Sequence, residues 1–413
     1  MERLALLAGN PVRSNPFTRW PAPSDALEKT MAEVAAEGIW SDVAGLRKLA
    51  FEQQFAEYVG ATHGLAVSNG TVSLQIALGA LGVGSGDEVI VPAYTFLATA
   101  SAVLMVNALP IFVDVDETGC LDPDAVEAAI TPRTKALIPV HLAGHPADMD
   151  RLCEIAARHG LPIIEDAAHA HGARWGDRRV GSIGEFGSFS FQASKNLSSG
   201  EGGALTTNDD ALADAAWSLH HCGRPRHGKW YDYDVLGGNY RMTEFQAALL
   251  SVQLADLDEQ IARRERSAAV LDSGLRDIAG LAPLHRDPRC TTHGYHLYQF
   301  WYDPTELGGL TRERFVAALN AEGIPASAGY VVPLYRQPLF AGPNFDVVAT
   351  GYDPSNPATR YGTLELPMTE KFCRDVIWIP QNVLLSSDED MAQVLTALAK
   401  VSAAAGDLIA HAR

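Results

Sequence analysis

The sequence predicts an α/β fold, a mostly parallel sheet between helices, with a smaller α+β domain after it. Three observations carry this expectation. Between residues 60 and 195, short apolar runs alternate with segments of helical length and spacing. The runs are continuously apolar, as strands covered on both faces require. Past residue 255 the alternation gives way to looser, proline-rich stretches. The division is placed there, with a large domain over residues 1–255 and a small one over 256–413.

In chain order, "GLAVSNG" is a short strand ending in an Asn-Gly turn, and "TVSLQIALGALGV" is the helix it feeds. "DEVIVPAYTF", "LPIFVDV", "KALIPVHL" and "LPIIEDA" are the next strands. Between them lie the helices "LATASAVLMVN", "DPDAVEAAI" and "ADMDRLCEIAARHG", the last closed by Gly160. The run "FGSFSFQASK" ends abruptly in Lys195 and a loop of small residues, Ser198 to Gly203. Thr243 to Leu275 reads as one long amphipathic helix. Beyond it come the strand "YHLYQFWYD" and the helices "TRERFVAALNAEG" and "DEDMAQVLTALAKVSAAA". Phe96 to Val113 carries no charge, but Thr99, Ser101, Asn107 and Pro110 within it fit a buried helix running into a strand, not a membrane span.

Composition narrows the function classes. With 32 basic against 50 acidic residues the net charge is -18, which argues against nucleic acid or anionic membrane as a partner. Five scattered cysteines without a CxxC pair read as reduced cytoplasmic thiols, neither a disulfide framework nor a zinc site. The opening "MERLALLAGNPVRS" has too short an apolar run for a signal peptide.

Lys195 is the residue that most needs explaining, because a lysine is costly to bury. Desolvation lowers its pKa and suits it to form a Schiff base with a carbonyl. If that carbonyl is pyridoxal phosphate, the site also needs a carboxylate for the ring nitrogen, a phosphate cradle and an aromatic face. Asp166, at the end of "LPIIED", is the candidate carboxylate, with helix capping as its ordinary alternative. His169 is placed to reach the phenolic oxygen, and His171 reads as a packed or surface histidine. Their i, i+2 spacing does not suit a metal site. Asn69-Gly70-Thr71 joins a strand to a helix N-terminus, a ready anion cradle to which Ser190 can add a hydroxyl. Tyr94 and Phe96 fall on one side of an extended chain, and either could stack on a flat ring or pack in the core.

Taken in order and spacing, "SNGT", "VIVPAYTFLATA", "IPVHLAG", "IIEDAAHAHGA", "FSFQASKNLSSGEGGAL" and "GGNYRMTEFQAA" resemble the sugar and cyclitol aminotransferases of the DegT/StrS branch of fold-type I pyridoxal-phosphate enzymes. The resemblance runs from about Pro11 to the last helix. It implies a homodimer with active sites shared across the interface. Lys195 matches the lysine that carries the cofactor, and Asp166 the partner of its pyridine nitrogen. His169 matches the residue near the phenolic oxygen, and Gly70, Thr71 and Ser190 the phosphate-binding positions. Phe96 matches the aromatic on the ring, and Asn239 a residue given to the partner's phosphate. Relatives that replace the lysine with histidine are dehydratases, so Lys195 favours amino transfer. Two rivals remain: a Schiff-base enzyme without cofactor, which needs neither Asp166 nor the Gly70-Thr71 turn, and a silent scaffold on the same fold, in which Asp166→Asn does little.

The donor implied is glutamine or glutamate. For the acceptor, "DAAHAHGARW", "HCGRPR" and the segment Gly308 to Phe340 look closer to inosose and aminoshikimate-type members than to nucleotide-sugar ones. The expectation is a keto-cyclitol such as scyllo-inosose or its 2-deoxy form, in secondary-metabolite (antibiotic) biosynthesis. The alternatives are a nucleotide-diphosphate ketosugar or an aromatising aminoshikimate-type reaction. Tyr94, Arg224, Tyr330 and Tyr335 are the candidates to line the substrate pocket. Arg224, Arg226 and Lys229 lie in a locally basic loop that equally reads as a solvated surface.

Overall fold

The computed structural model describes residues 3–41, 45–229, 231–342 and 359–411. Its centre is a sheet built from β1 (His63–Val67), β2 (Glu88–Pro92), β3 (Leu109–Val113), β4 (Thr134–Leu137) and β5 (Ile164–Asp166). Two short strands, β6 (Arg174–Trp175) and β7 (Arg178–Arg179), stand apart, and β8 (Phe186–Ser190) and β9 (Gly203–Thr207) complete the sheet. Four strands run in the order β1-β9-β8-β5 and three in the order β3-β2-β4. Parallel bridges Leu137↔Ile163 and Val140↔Asp166 join β4 to β5, so the two sets form one continuous sheet.

All its strands are parallel except β9, which runs antiparallel to β1 and β8. The strands of the expected parallel series are therefore present, and one reversed strand lies among them. It enters from the Lys195 loop with no helix between, and a loop that short can only return the chain antiparallel.

The helices between strands begin where capping residues stand. After α1 (Asp25–Glu37) and α2 (Arg47–Val59), α3 (Gly70–Ala80) starts where Asn69 Oδ1 accepts from the Val72 amide at 2.9 Å. Next come α4 (Leu97–Met105), α5 (Pro123–Ala129) and α6 (Met149–His159), the last capped by Asp148 and ended by Gly160 at φ +65°. Phe96–Val113 is thus α4 and then β3, and no helix among the described residues is long and apolar enough to cross a membrane.

After α7 (Asp210–His220), the segment read as one helix from Thr243 is two: α8 (Glu244–Leu254) and α9 (Leu257–Leu275). Thr243 and Gln246 form a capping box that starts α8, and the chain turns at Ala255-Asp256 although its apolar spacing runs on. From α9 onward part of the chain builds a separate core, while Tyr335, Phe340, Tyr361, Phe372 and Val376 pack into the cores of the main sheet. Leu271, Leu275, Phe300, Phe315, Val394 and Leu398 form a buried cluster to which Leu4 from the chain start also belongs. An antiparallel sheet of β10 (Leu281–Pro283), β12 (Leu297–Tyr302) and β13 (Val376–Pro380) crosses it. The intervening β11 (Cys290–Thr292) pairs back with β6, which brings the residues just before β12 against the segment between β5 and β8.

Candidate active site

Four strand ends meet at one edge of the main sheet. Val67 is level with Gly203, and Gly203 with Ser190, while Asp166 at the end of β5 is level with Ser188. Carboxyl ends of parallel strands are where open α/β sheets keep their ligands.

The cradle depends on two close approaches. A Cβ on Gly70 would stand 2.7 Å from Ser190 Cβ, and one on Gly203 would stand 2.5 Å from the Asn69 carbonyl carbon. Only hydrogen at both positions lets the start of α3 settle onto β8 and β9. The amides of Gly70 and Thr71 are first-turn donors without intrahelical acceptors, and Gly70 packs directly against Ser190. Such a helix start suits an anion.

Asp166 is buried. Thr99 Oγ1 donates to its Oδ2 at 2.9 Å and the Ala168 amide to its Oδ1 at 3.2 Å. Burial still raises its carboxyl above the usual range, against those hydrogen bonds and the charge of Lys195. A cationic partner would reverse that shift.

Behind it, buried Glu165 accepts from the amides of Gly181, Ile183 and Gly184 at 2.7–2.8 Å and pairs with His141 Nε2 at 3.0 Å. His141 Nδ1 accepts from the Ala147 amide, so its proton lies on Nε2 and points at Glu165. This pair serves the loop, not the open face.

Lys195 does not end a strand. The strand stops at Ser190, and Gln192 Oε1 takes the amide and hydroxyl of Ser194 at 2.8 and 2.7 Å. The Lys195 amide then donates to the Gln192 carbonyl at 2.8 Å, closing a turn that carries the lysine toward Asp166. Burial lowers its ammonium to about 8, with the charge of Asp166 acting the other way. A lysine near that value holds far more free amine at neutral pH than an ordinary lysine, although most of it is still ammonium.

His169 is also buried, and its Nδ1 accepts from the Ala143 amide at 3.3 Å. The proton therefore sits on Nε2, which meets no partner among the described residues. Burial, then the charge of Lys195, pushes this ring well below the ordinary histidine value, so it is a neutral donor. His171 packs 5.7 Å from both Phe189 and Phe191.

Tyr94 and Phe96 do not share a face. Tyr94 is 1% exposed, packed against Tyr330 at 5.5 Å and Phe372 at 5.1 Å. Phe96 is 59% exposed, because the chain turns into α4 there and swings its ring outward. Tyr330 is half-buried over Tyr94, and the charge of Asp166 adds to the burial that raises its hydroxyl, so it stands within electrostatic reach of Asp166. Tyr335 is buried and donates to Glu370 at 2.8 Å, which makes it a packing residue of the core. Arg224 lies 5.5 Å from the Tyr233 ring, and its neighbour Arg226 is paired with Asp214 at 2.9 Å. Asn239 is exposed beside the outer edge of β1, where the next residue, Tyr240, accepts from the Ser68 amide.

Sequence reasoning passed over Thr99, Trp20 and His296. Thr99 had no signal beyond a polar residue in an apolar helix. Trp20 donates from Nε1 to the Lys195 carbonyl at 2.9 Å across a long sequence separation. His296 packs against the His169 ring, and its one visible mark was a histidine entering an apolar strand.

Comparison with known proteins agrees with this geometry. The model of the DegT/DnrJ/EryC1/StrS aminotransferase family matches residues 24–399. The chain is 41% identical over 408 residues to a putative L-glutamine:3-amino-2,3-dideoxy-scyllo-inosose aminotransferase of Streptoalloteichus tenebrarius, covering 96% of this chain and 97% of that one. It is 41% identical over 427 residues to the L-glutamine:2-deoxy-scyllo-inosose aminotransferase of Micromonospora echinospora, covering 98% of each. The crystal structure of 3-amino-5-hydroxybenzoic acid synthase superposes with a TM-score of 0.86 at 38% identity, over 95% of this chain and all of that one.

Proposed function

The chain belongs to the DegT/DnrJ/EryC1/StrS aminotransferase family, and from that premise we propose that it moves the amino group of L-glutamine to a keto-cyclitol of the scyllo-inosose class, using pyridoxal phosphate. The observation that carries the chemistry is the pairing of a lysine lowered to about 8, on the turn after β8, with a buried carboxylate at the end of β5. The observation that favours the acceptor is the full-length similarity to scyllo-inosose aminotransferases.

The residues present fit the cofactor. Gly70, Thr71 and Ser190 suit its phosphate, Asp166 its ring nitrogen, His169 its ring oxygen, and exposed Phe96 one face of the ring. When bound, pyridoxal phosphate supplies an electron sink that makes the donor's α-hydrogen acidic. Asp166, held by Thr99, keeps a negative charge where that sink needs it. Lys195, as free amine, takes the proton from the donor's α-carbon and delivers one to the acceptor carbon that gains nitrogen. A homodimer with Asn239 reaching the partner's site completes the reading. Exposed Leu236, Tyr231 and Phe96 support it, because apolar groups of that size are normally covered.

The test is a single turnover. Protein is converted to its pyridoxamine phosphate form and mixed with scyllo-inosose, 2-deoxy-scyllo-inosose or a nucleotide-linked 4-ketosugar. Recovery of the original visible absorbance with an inosose supports the proposal, and recovery with the nucleotide sugar alone rejects it. The likeness to 3-amino-5-hydroxybenzoic acid synthase favours a second reading, an aromatising aminoshikimate-type reaction. It predicts recovery with no inosose and an aromatic product from an aminoshikimate-type ring.

A further inference from the structure

His296 enters the site from the far half of the chain, at the start of β12. It is buried, and its ring lies 4.3 Å from that of His169 with the planes 38° apart. Two hydrogen bonds brace its segment, and a third holds the ring it faces. Asn196, next to Lys195, donates from Nδ2 to the Gly294 carbonyl at 2.5 Å. The Gly294 amide donates to the Gly144 carbonyl at 2.8 Å, and the Ala143 amide donates to His169 Nδ1. The segment under His296 is thus tied both to the lysine turn and to the loop that fixes the His169 tautomer.

One hydrogen bond of 3.3 Å does not fix an imidazole, because the ring can still swing about its side-chain torsions. A second buried ring in contact at 4.3 Å restricts that freedom. Two imidazolium ions in contact would repel, but burial and the charge of Lys195 hold both rings well below the ordinary histidine value.

We propose that His296 is a positioning residue for amino transfer: packed against His169, it holds that imidazole where its Nε2–H can meet the cofactor's ring oxygen. This rests on the function proposed above and adds a residue to it. A ring oxygen that loses its donor keeps its negative charge less satisfied and binds the neighbouring proton more tightly. Misplaced His169 therefore raises the pH at which the bound chromophore changes colour.

The experiment is a pH titration of visible absorbance in holoenzyme, with steady-state kinetics, for His296→Ala, His296→Phe, His169→Ala and the His169→Ala/His296→Ala double variant. His296→Ala moves the midpoint up by about half a unit or more and lowers kcat about tenfold, since misplacing a reacting group by about 1 Å can cost about 100-fold. His296→Phe keeps the ring contact and stays close to wild type. The double variant matches His169→Ala alone, because His296 acts through His169. Should His296→Ala fail to fold, His296→Asn takes its place. An unmoved midpoint in the truncated variant overturns the inference, as does a loss in His296→Phe equal to that in His296→Ala. Wild-type protein with no chromophore overturns the proposed function, and this inference with it.

Discussion

Trp20 donates its indole N–H to the backbone carbonyl of Lys195 at 2.9 Å, so the start of the chain is anchored on the turn that carries the lysine. Trp20→Phe keeps the ring and removes the donor. The expected cost is roughly 1 kcal/mol of stability, with a larger effect on kcat, since the lysine turn loses a fixed point. Thermal unfolding and steady-state rates measured on one preparation separate the two effects. An unchanged kcat means that the turn is held by its own Gln192 and Asn196 contacts.

Lys195 makes the cofactor-free protein pay for a buried ammonium. Its pKa falls from 10.5 to about 8 in the folded chain, so between those values the unfolded state binds more protons and stability rises with pH. Below pH 8 the penalty is fully present. Apo-protein carrying Lys195→Met therefore unfolds a few degrees higher than wild type at pH 7, and the gap narrows toward pH 10. A gap that widens with pH contradicts the sign of this shift. The same variant is inactive.

Asp166→Asn removes the charge while keeping the shape and the Thr99 contact. Loss of a preorganised charge at the reacting centre lowers kcat by about 100-fold or more. Absorbance and thermal unfolding check that the variant still folds and still takes up cofactor. A rate near wild type means that the chemistry does not use this carboxylate.

Gly70→Ala places a methyl 2.7 Å from Ser190 Cβ, so α3 must lift from β8. Donors to the phosphate move, and the cofactor dissociation constant rises about tenfold or more. At saturating cofactor kcat changes much less, because Lys195 and Asp166 stay in place. Absorbance titration of apo-protein measures the first effect. Equal losses in both quantities point to a collapse of the whole edge.

For the proposed shared site, Lys195→Ala and Asn239→Ala chains are each inactive alone. Mixed and allowed to re-associate at random, they recover roughly a quarter of wild-type activity, because half the dimers hold one intact site of two. No recovery, with heterodimers demonstrated by mass, places Asn239 in its own chain's site.

Much of this could be read in the sequence because it is local. Continuous apolar runs mark strands buried on both faces, Asn69-Gly70 marks a turn into a helix start, and Asp166 stands out as a charge ending an apolar run. These features depend on residues a few positions apart. What the sequence left open depends on residues far apart. "GALTT" shows no more of its direction than any other short run, and only pairing with β1 and β8 decides that β9 runs backwards. The apolar spacing from Thr243 to Leu275 continues through the break at Ala255-Asp256, because both helices bury one face on different cores.

Tyr94 and Phe96 alternate alike on paper, and only the turn into α4 sends one ring inward and the other out. His296 and Trp20 join the site through contacts between residues far apart in sequence, which no local pattern records. Propensity and periodicity determine which elements form. Side-chain chemistry becomes a site only when packing brings distant residues within hydrogen-bond range of one another.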